Sequence, residues 1–215
     1  MPTFFLIRHG ETEYVKKGLL SGRMPGIHLN EVGLRQANEL AAALGSAPIA
    51  AIYSSPLERA IETAELIARA RGLEVQPAPS LLETNIGEWE GAKAKELRRL
   101  PEWKQVQRAP SRFRFPGGES FIEQQARLVA EIERIGLLHT RNENIALVFH
   151  ADPIKLVIAH YLGMPLDSFQ RLGCSTGSLS VLHLEESNVM VLQMNIRPPF
   201  PIFTPAQGKG TKKSR

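Results

Sequence analysis

Short apolar runs alternate along this chain with longer segments of helical periodicity, and that alternation constrains its fold most. "TFFLIR" (3–8), "IAAIYS" (49–54), "LEVQP" (73–77) and "NIALVF" (144–149) have the length and composition of strands. "LNEVGLRQANELAAAL" reads as a helix, placing Leu34, Ala37, Ala41 and Leu44 on one stripe with Asn30 as N-cap. "SPLERAIETAELIARA" opens on an S-x-x-E capping box, Ser55 with Glu58, and has Pro56 at the first helical position. A second box, Ser120 with Glu123, starts a helix from Phe121 to about Leu138. "HADPIKLVIAHYLGMP" pairs an Asp152 cap and Pro153 with a Gly163–Pro165 stop. It is apolar nearly all round, which predicts deep burial.

Residues 84–118 are less regular. There "AKAKELRRL" reads as a short helix stopped by Pro101, and "FRFPGGES" as a loop. Near the end, "GSLSVLHL" and "VMVLQMNI" flank "EESN", a hairpin signal. Strand–helix alternation predicts a mostly parallel sheet with helices on both faces, and the hairpin makes part of it antiparallel. The expected class is α/β, in three α/β/α layers.

The 215 residues suffice for one large domain. No internal repeat or linker-like stretch interrupts residues 1–200, which read as a single domain. The net charge of +4 hints at a polyanion, but four of the 26 basic residues (Lys209, Lys212, Lys213 and Arg215) account for it. They lie in a tail, residues 201–215, whose polarity reads as disordered. The remaining 22 basic residues balance 22 acidic ones, so no nucleic-acid partner is expected. A lone Cys174 cannot close an intramolecular disulfide; it reads as a small core residue in a reducing cytoplasm. No apolar run is long enough to cross a membrane, and "MPTFFLIRH" has too few apolar residues for a signal peptide. A homodimer is compatible with this composition.

In an open parallel sheet, ligands bind beyond the carboxyl ends of the strands. Arg8 and His9 end the first strand, Ser55 and Arg59 follow the second, and His150 ends the fourth. Helices starting near Pro56 and Pro153 add free backbone N–H groups and a positive dipole end. Taken singly, Arg8 suits an ordinary ion pair, Arg59 a solvated helix face, and each histidine a hydrogen bond in a turn. The convergence of all four on one edge points instead to a dianion. Phosphate fits best, because a guanidinium fork can hold two of its oxygens.

These residues stand in "LIRHGETE", "IYSSPLERAIETAELI", "LLETNIGEWEG", "PGGES" and "ALVFHADPIK". In that order the motifs resemble the histidine phosphatase superfamily, which includes cofactor-dependent phosphoglycerate mutase, over roughly residues 3–196. The resemblance implies that His9 is the phosphate-accepting nucleophile and that Arg8, Arg59 and His150 clamp the phosphate. It makes Glu83 the proton donor to the leaving alcohol, Ser21 a phosphate or substrate contact, and the Ala151 N–H a phosphate donor. Two positions depart from the family pattern. Val15 stands where an asparagine is common, and Ala151 where many members have glycine or asparagine.

The activity implied is hydrolysis of a small phosphomonoester through a phosphohistidine, with no cofactor and no metal. His9 must then be neutral, and Arg8 and Arg59 should hold its pKa down while bound phosphate pulls it up. Glu83 must be protonated as the alkoxide leaves; Glu88 and Glu90 are its rivals, and Glu11 reads as structural. Trp89, Trp103, Phe113 and Phe115, with Arg98, Arg99, Arg108, Arg112 and Arg114, read as lid packing with a solvated basic face. Two alternatives are a phosphoglycerate mutase and a phosphate-binding module without catalysis. Mutases of the family typically carry a longer mid-chain insertion and "RHYG" after the acid, whereas "TNIG" follows Glu83 here.

Overall fold

Residues 2–185 and 188–200 are described by a computed structural model; the basic tail over 201–215 lies outside them. In chain order the elements are β1 Thr3–Arg8, α1 Glu13–Lys17, α2 Glu31–Leu44, β2 Ile49–Ser54, α3 Glu58–Arg71 and β3 Val75–Pro77. They continue with α4 Ala94–Leu97, α5 Pro101–Arg108, α6 Phe121–Leu137, β4 Asn144–Phe149, α7 Ala151–Tyr161, β5 Leu179–Leu184 and β6 Val189–Ile196. The strands form one six-stranded sheet in the order β3-β2-β4-β1-β5-β6. Pairing is parallel from β3 through β2 and β4 to β1, and antiparallel from β1 through β5 to β6.

Side chains alternate across β1, as strand geometry requires. Phe4 and Leu6 pack with Phe121, Leu128 and Ile132 of α6 and with Ile154 and Val157 of α7. Phe5 and Ile7 pack with Leu40 and Leu44 of α2 and with Ala60 and Ile67 of α3. The expected three layers are present. No helix among the described residues is long and apolar enough to cross a membrane.

Several local expectations need correction. Leu34 is 45% exposed, and the buried stripe of α2 is Gly33, Ala37, Leu40, Ala41 and Leu44. The helix rolls toward Gly33 because that residue meets the Glu11 backbone directly, with no room for a Cβ. Ser55 forms no capping box: α3 starts at Glu58 on an N-cap, Leu57, without a side-chain bond, and Pro56 lies outside the helix. The Ser55 N–H still bonds to the Val148 carbonyl and its hydroxyl to His150, so strand pairing and the site occupy the residue. Asp152 is not a cap either; His150 is the N-cap, and Asp152 pairs with Lys155 at 2.6 Å. Pro101 opens α5 instead of only stopping α4, since proline at a first helical position forfeits no bond. The Ser120–Glu123 box forms in full.

In the middle segment Trp89 is buried and packs on Trp103, Phe113 and Phe115 with ring centroids 6.1, 5.5 and 5.4 Å away. The five arginines named there are all exposed. The aromatic packing and the solvated basic face are as expected.

Candidate active site

Parallel register brings the strand tips together, setting Arg8 opposite Phe149 and Ser54 opposite Val148. His9, next after β1, is buried at 3% exposure and donates its backbone N–H to Phe149. Its Nδ1 lies 2.7 Å from the Gly10 carbonyl oxygen. A carbonyl oxygen only accepts, so Nδ1 carries the proton and the lone pair of the neutral ring is on Nε2. Burial, then the charges of Arg8 and Arg59, hold this imidazole well below its usual pKa; the Gly10 bond acts the other way.

Arg8 donates Nη1 to the Cys174 carbonyl at 2.7 Å, and its buried Nε has no hydrogen-bond partner among the described residues. Arg59 is completely buried, spending one Nη2 bond on the Gly22 carbonyl at 2.8 Å and leaving Nε and Nη1 without partners among the described residues. Burial is the main reason its pKa falls below that of a free guanidinium. An unpaired buried donor of this kind costs about 1–3 kcal/mol or more. An arrangement that retains such groups calls for an anionic ligand.

His150 is also fully buried, its Nε2 2.8 Å from the Ser55 hydroxyl and its ring centroid 5.1 Å from that of His9. Burial, with Arg59, His9, Arg8 and Arg127 contributing charge, pushes its pKa well down. Its Nδ1 stands 3.9 Å from Glu83 Oε2. The Glu83 side chain is 19% exposed, and Oε1 accepts from the Thr84 N–H and hydroxyl at 2.9 and 3.3 Å. Burial raises the Glu83 pKa and the nearby Asp152 carboxylate adds to the rise; the Thr84 N–H, Arg59 and Arg8 oppose it.

A cavity of about 200 Å³ opens at this edge, lined by Arg8, His9, Glu83, Ser21 and Ala151 among others. Val15, Leu19, Leu20 and Ile86 form an apolar part of its wall. Arg59 and His150 do not line the cavity; His150 packs behind it against His9 and Glu83. Of the rival acids, Glu88 is exposed and Glu90 accepts from the Arg23 N–H, while Glu11 accepts from Asn30. None of these three lines the cavity. No group of three or more His, Cys, Asp or Glu side chains among the described residues is placed to hold a metal ion.

Sequence reasoning did not single out Thr84, the partner of Glu83, although its place beside that residue was a usable signal. Leu19 and Leu20 were also missed. They lie in an irregular segment, pinned by a bridge between Leu19 and Lys93, where no periodicity marks an inward side.

The histidine phosphatase superfamily (branch 1) model matches residues 4–197. Phosphoserine phosphatase 1 of Hydrogenobacter thermophilus is 33% identical over 198 residues, spanning 91% of this chain and 93% of that protein. A 2,3-bisphosphoglycerate-dependent phosphoglycerate mutase of Thermoplasma acidophilum is 30% identical over 193 residues, spanning 89% and 92%. Among solved structures, a mycobacterial glucosyl-3-phosphoglycerate phosphatase complexed with VO3 superposes with a TM-score of 0.83 at 26% identity. That match covers 91% of this chain and 99% of the other. With its strand-tip histidines and arginines in that frame, the chain belongs to the histidine phosphatase superfamily, branch 1.

Proposed function

We propose that this protein hydrolyses a small phosphomonoester through a phosphohistidine formed at His9 Nε2. The observation that carries the reading is the Nδ1 bond to Gly10, which leaves Nε2 as the free lone pair of a ring held neutral by burial and two arginines. Nε2 attacks phosphorus as the ester P–O bond breaks, and the departing alkoxide takes the proton of Glu83. The Glu83 carboxylate then accepts a proton from water, whose oxygen attacks phosphorus as the P–N bond breaks, releasing phosphate and restoring neutral His9. Arg8, Arg59 and His150 neutralise the phosphoryl oxygens. In this mechanism the Ser55 hydroxyl is assigned as donor to His150 Nε2, 2.8 Å away, which puts the proton of neutral His150 on Nδ1 as a further donor. Ser21 and the Ala151 N–H contribute contacts at the cavity wall. A cytoplasmic location belongs to the same reading, supported by the unpaired Cys174.

Mutase activity is the second reading, favoured by the Thermoplasma relative. Hydrolysis is preferred because Val15, Leu19, Leu20 and Ile86 give the cavity an apolar flank, which suits a bisphosphorylated intermediate poorly. The test combines acid-labile, base-stable labelling at His9 with product analysis on 3-phosphoglycerate, with and without bisphosphoglycerate. Free phosphate from monoesters and loss of turnover on the order of 10⁴-fold or more in His9→Ala are expected. Rapid 2-phosphoglycerate formation with negligible phosphate release would identify a mutase. Because fixed cations supply the charge, chelators should leave turnover unchanged; loss restored by one divalent ion would refute that part.

A further inference from the structure

Glu83 belongs to no helix or strand. It lies between the 3₁₀ turns Pro79–Leu81 and Gly87–Trp89, so other groups must hold its carboxylate against the cavity. The backbone on both sides is tied to three charged side chains. Arg127 Nη1 donates to the Ser80 and Leu82 carbonyls at 2.6 and 3.2 Å. Arg23 Nε donates to the carbonyl of Glu83 itself at 2.8 Å. The Asn85 N–H donates to Glu119 Oε1 at 2.8 Å, and the Glu119 N–H returns a bond to the Asn85 carbonyl at 2.9 Å.

These ties meet at one atom. Glu119 Oε1 also accepts from Arg23 Nη2 and Arg127 Nη2, both at 2.9 Å. The carboxylate is 14% exposed and the guanidiniums 29% and 22%, so solvent screens them only partly. Without Glu119, two cations that share no other carboxylate among the described residues face each other across a part-buried gap, an arrangement that favours their separation. Each would take its carbonyl with it. None of the three side chains lines the cavity, and the bonds they make run to the backbone around Glu83.

We propose that Glu119 is a positioning residue for the proton donor, joining Arg23 and Arg127 into a brace that fixes the Glu83 backbone. The inference rests on Glu83 being that donor. Its signature follows from chemistry: an alkyl alcohol is a poor leaving group that needs the proton, whereas p-nitrophenolate departs without it.

The experiment measures kcat/KM, which reports steps through departure of the alcohol, for p-nitrophenyl phosphate and an alkyl phosphate in wild type, Glu83→Gln and Glu119→Ala. In Glu119→Ala a loss of about 10²-fold is expected on the alkyl ester, against less than about threefold on the aryl ester. Glu119→Gln, which keeps an oxygen for the Asn85 N–H, should show the same pattern more weakly and decides the matter where Glu119→Ala does not fold. If Glu83→Gln shows the leaving-group pattern but the Glu119 variants lose activity equally on both esters, or not at all, the brace is refuted and the donor stands. If Glu83→Gln itself loses activity equally on both, the donor assignment falls and the brace with it.

Discussion

At the scale of single residues, the site depends on two groups displaced from their solution behaviour in opposite directions. Burial and two guanidiniums hold His9 down, while burial and Asp152 lift Glu83. The proposed mechanism needs His9 neutral and Glu83 protonated, so kcat/KM should rise with pH through a lowered imidazole pKa and fall through a raised carboxyl pKa. Because p-nitrophenolate leaves without a proton, the descending limb should appear on an alkyl phosphate and vanish on p-nitrophenyl phosphate while the ascending limb stays in place; an equal descending limb on both would remove Glu83 from the proton-transfer step. Arg8, His9, Arg59 and His150 were legible because charged groups at strand ends are costly without a partner. The Ser55–His150 bond was not legible, because the same serine also satisfies the pattern of a capping box.

At the scale of elements, two identical S-x-x-E patterns had different outcomes. Ser120 caps α6, but Ser55 is still paired with β4 through its N–H, which delays the start of α3 to Glu58. A local pattern cannot register a competing long-range bond. The packing of α2 gives a further test. A Cβ at Gly33 would fall on the Glu11 carbonyl, and one at Gly10 on the Gly33 carbonyl, so helix and catalytic loop touch backbone to backbone. Gly33→Ala should destabilise by about 1–3 kcal/mol, read as a lower Tm. Turnover should fall as well, because the displaced loop carries the Gly10 carbonyl that orients His9. A variant with unchanged Tm would show that the loop yields freely. Alternation of strands and helices revealed the layers and "AKAKELRRL" the short α4, whereas α1 and α5 bury too few residues to leave a clear period.

At the scale of the whole molecule, the site sets a pH dependence of stability. His9 and His150 bind protons less readily folded than unfolded, so their contribution is present above about pH 6.5 and is lost as pH falls. Glu83, raised in the fold, works in the reverse sense, its contribution declining as pH rises above about 4.3. His9→Asn isolates one contribution: between pH 7 and 5.5 wild type should lose more stability than the variant in denaturant titrations. Equal losses would contradict the depressed pKa. The parallel pairing of β1 with β4 has a consequence for biosynthesis. Arg8 and His9 leave a ribosome well before β4, yet they acquire their neighbour His150 only when β4 has emerged and inserted between β1 and β2. A nascent chain ending before β4 would carry both arginines and the nucleophile with no pocket to hold them, so phosphate could stabilise only chains whose central strand is already in place.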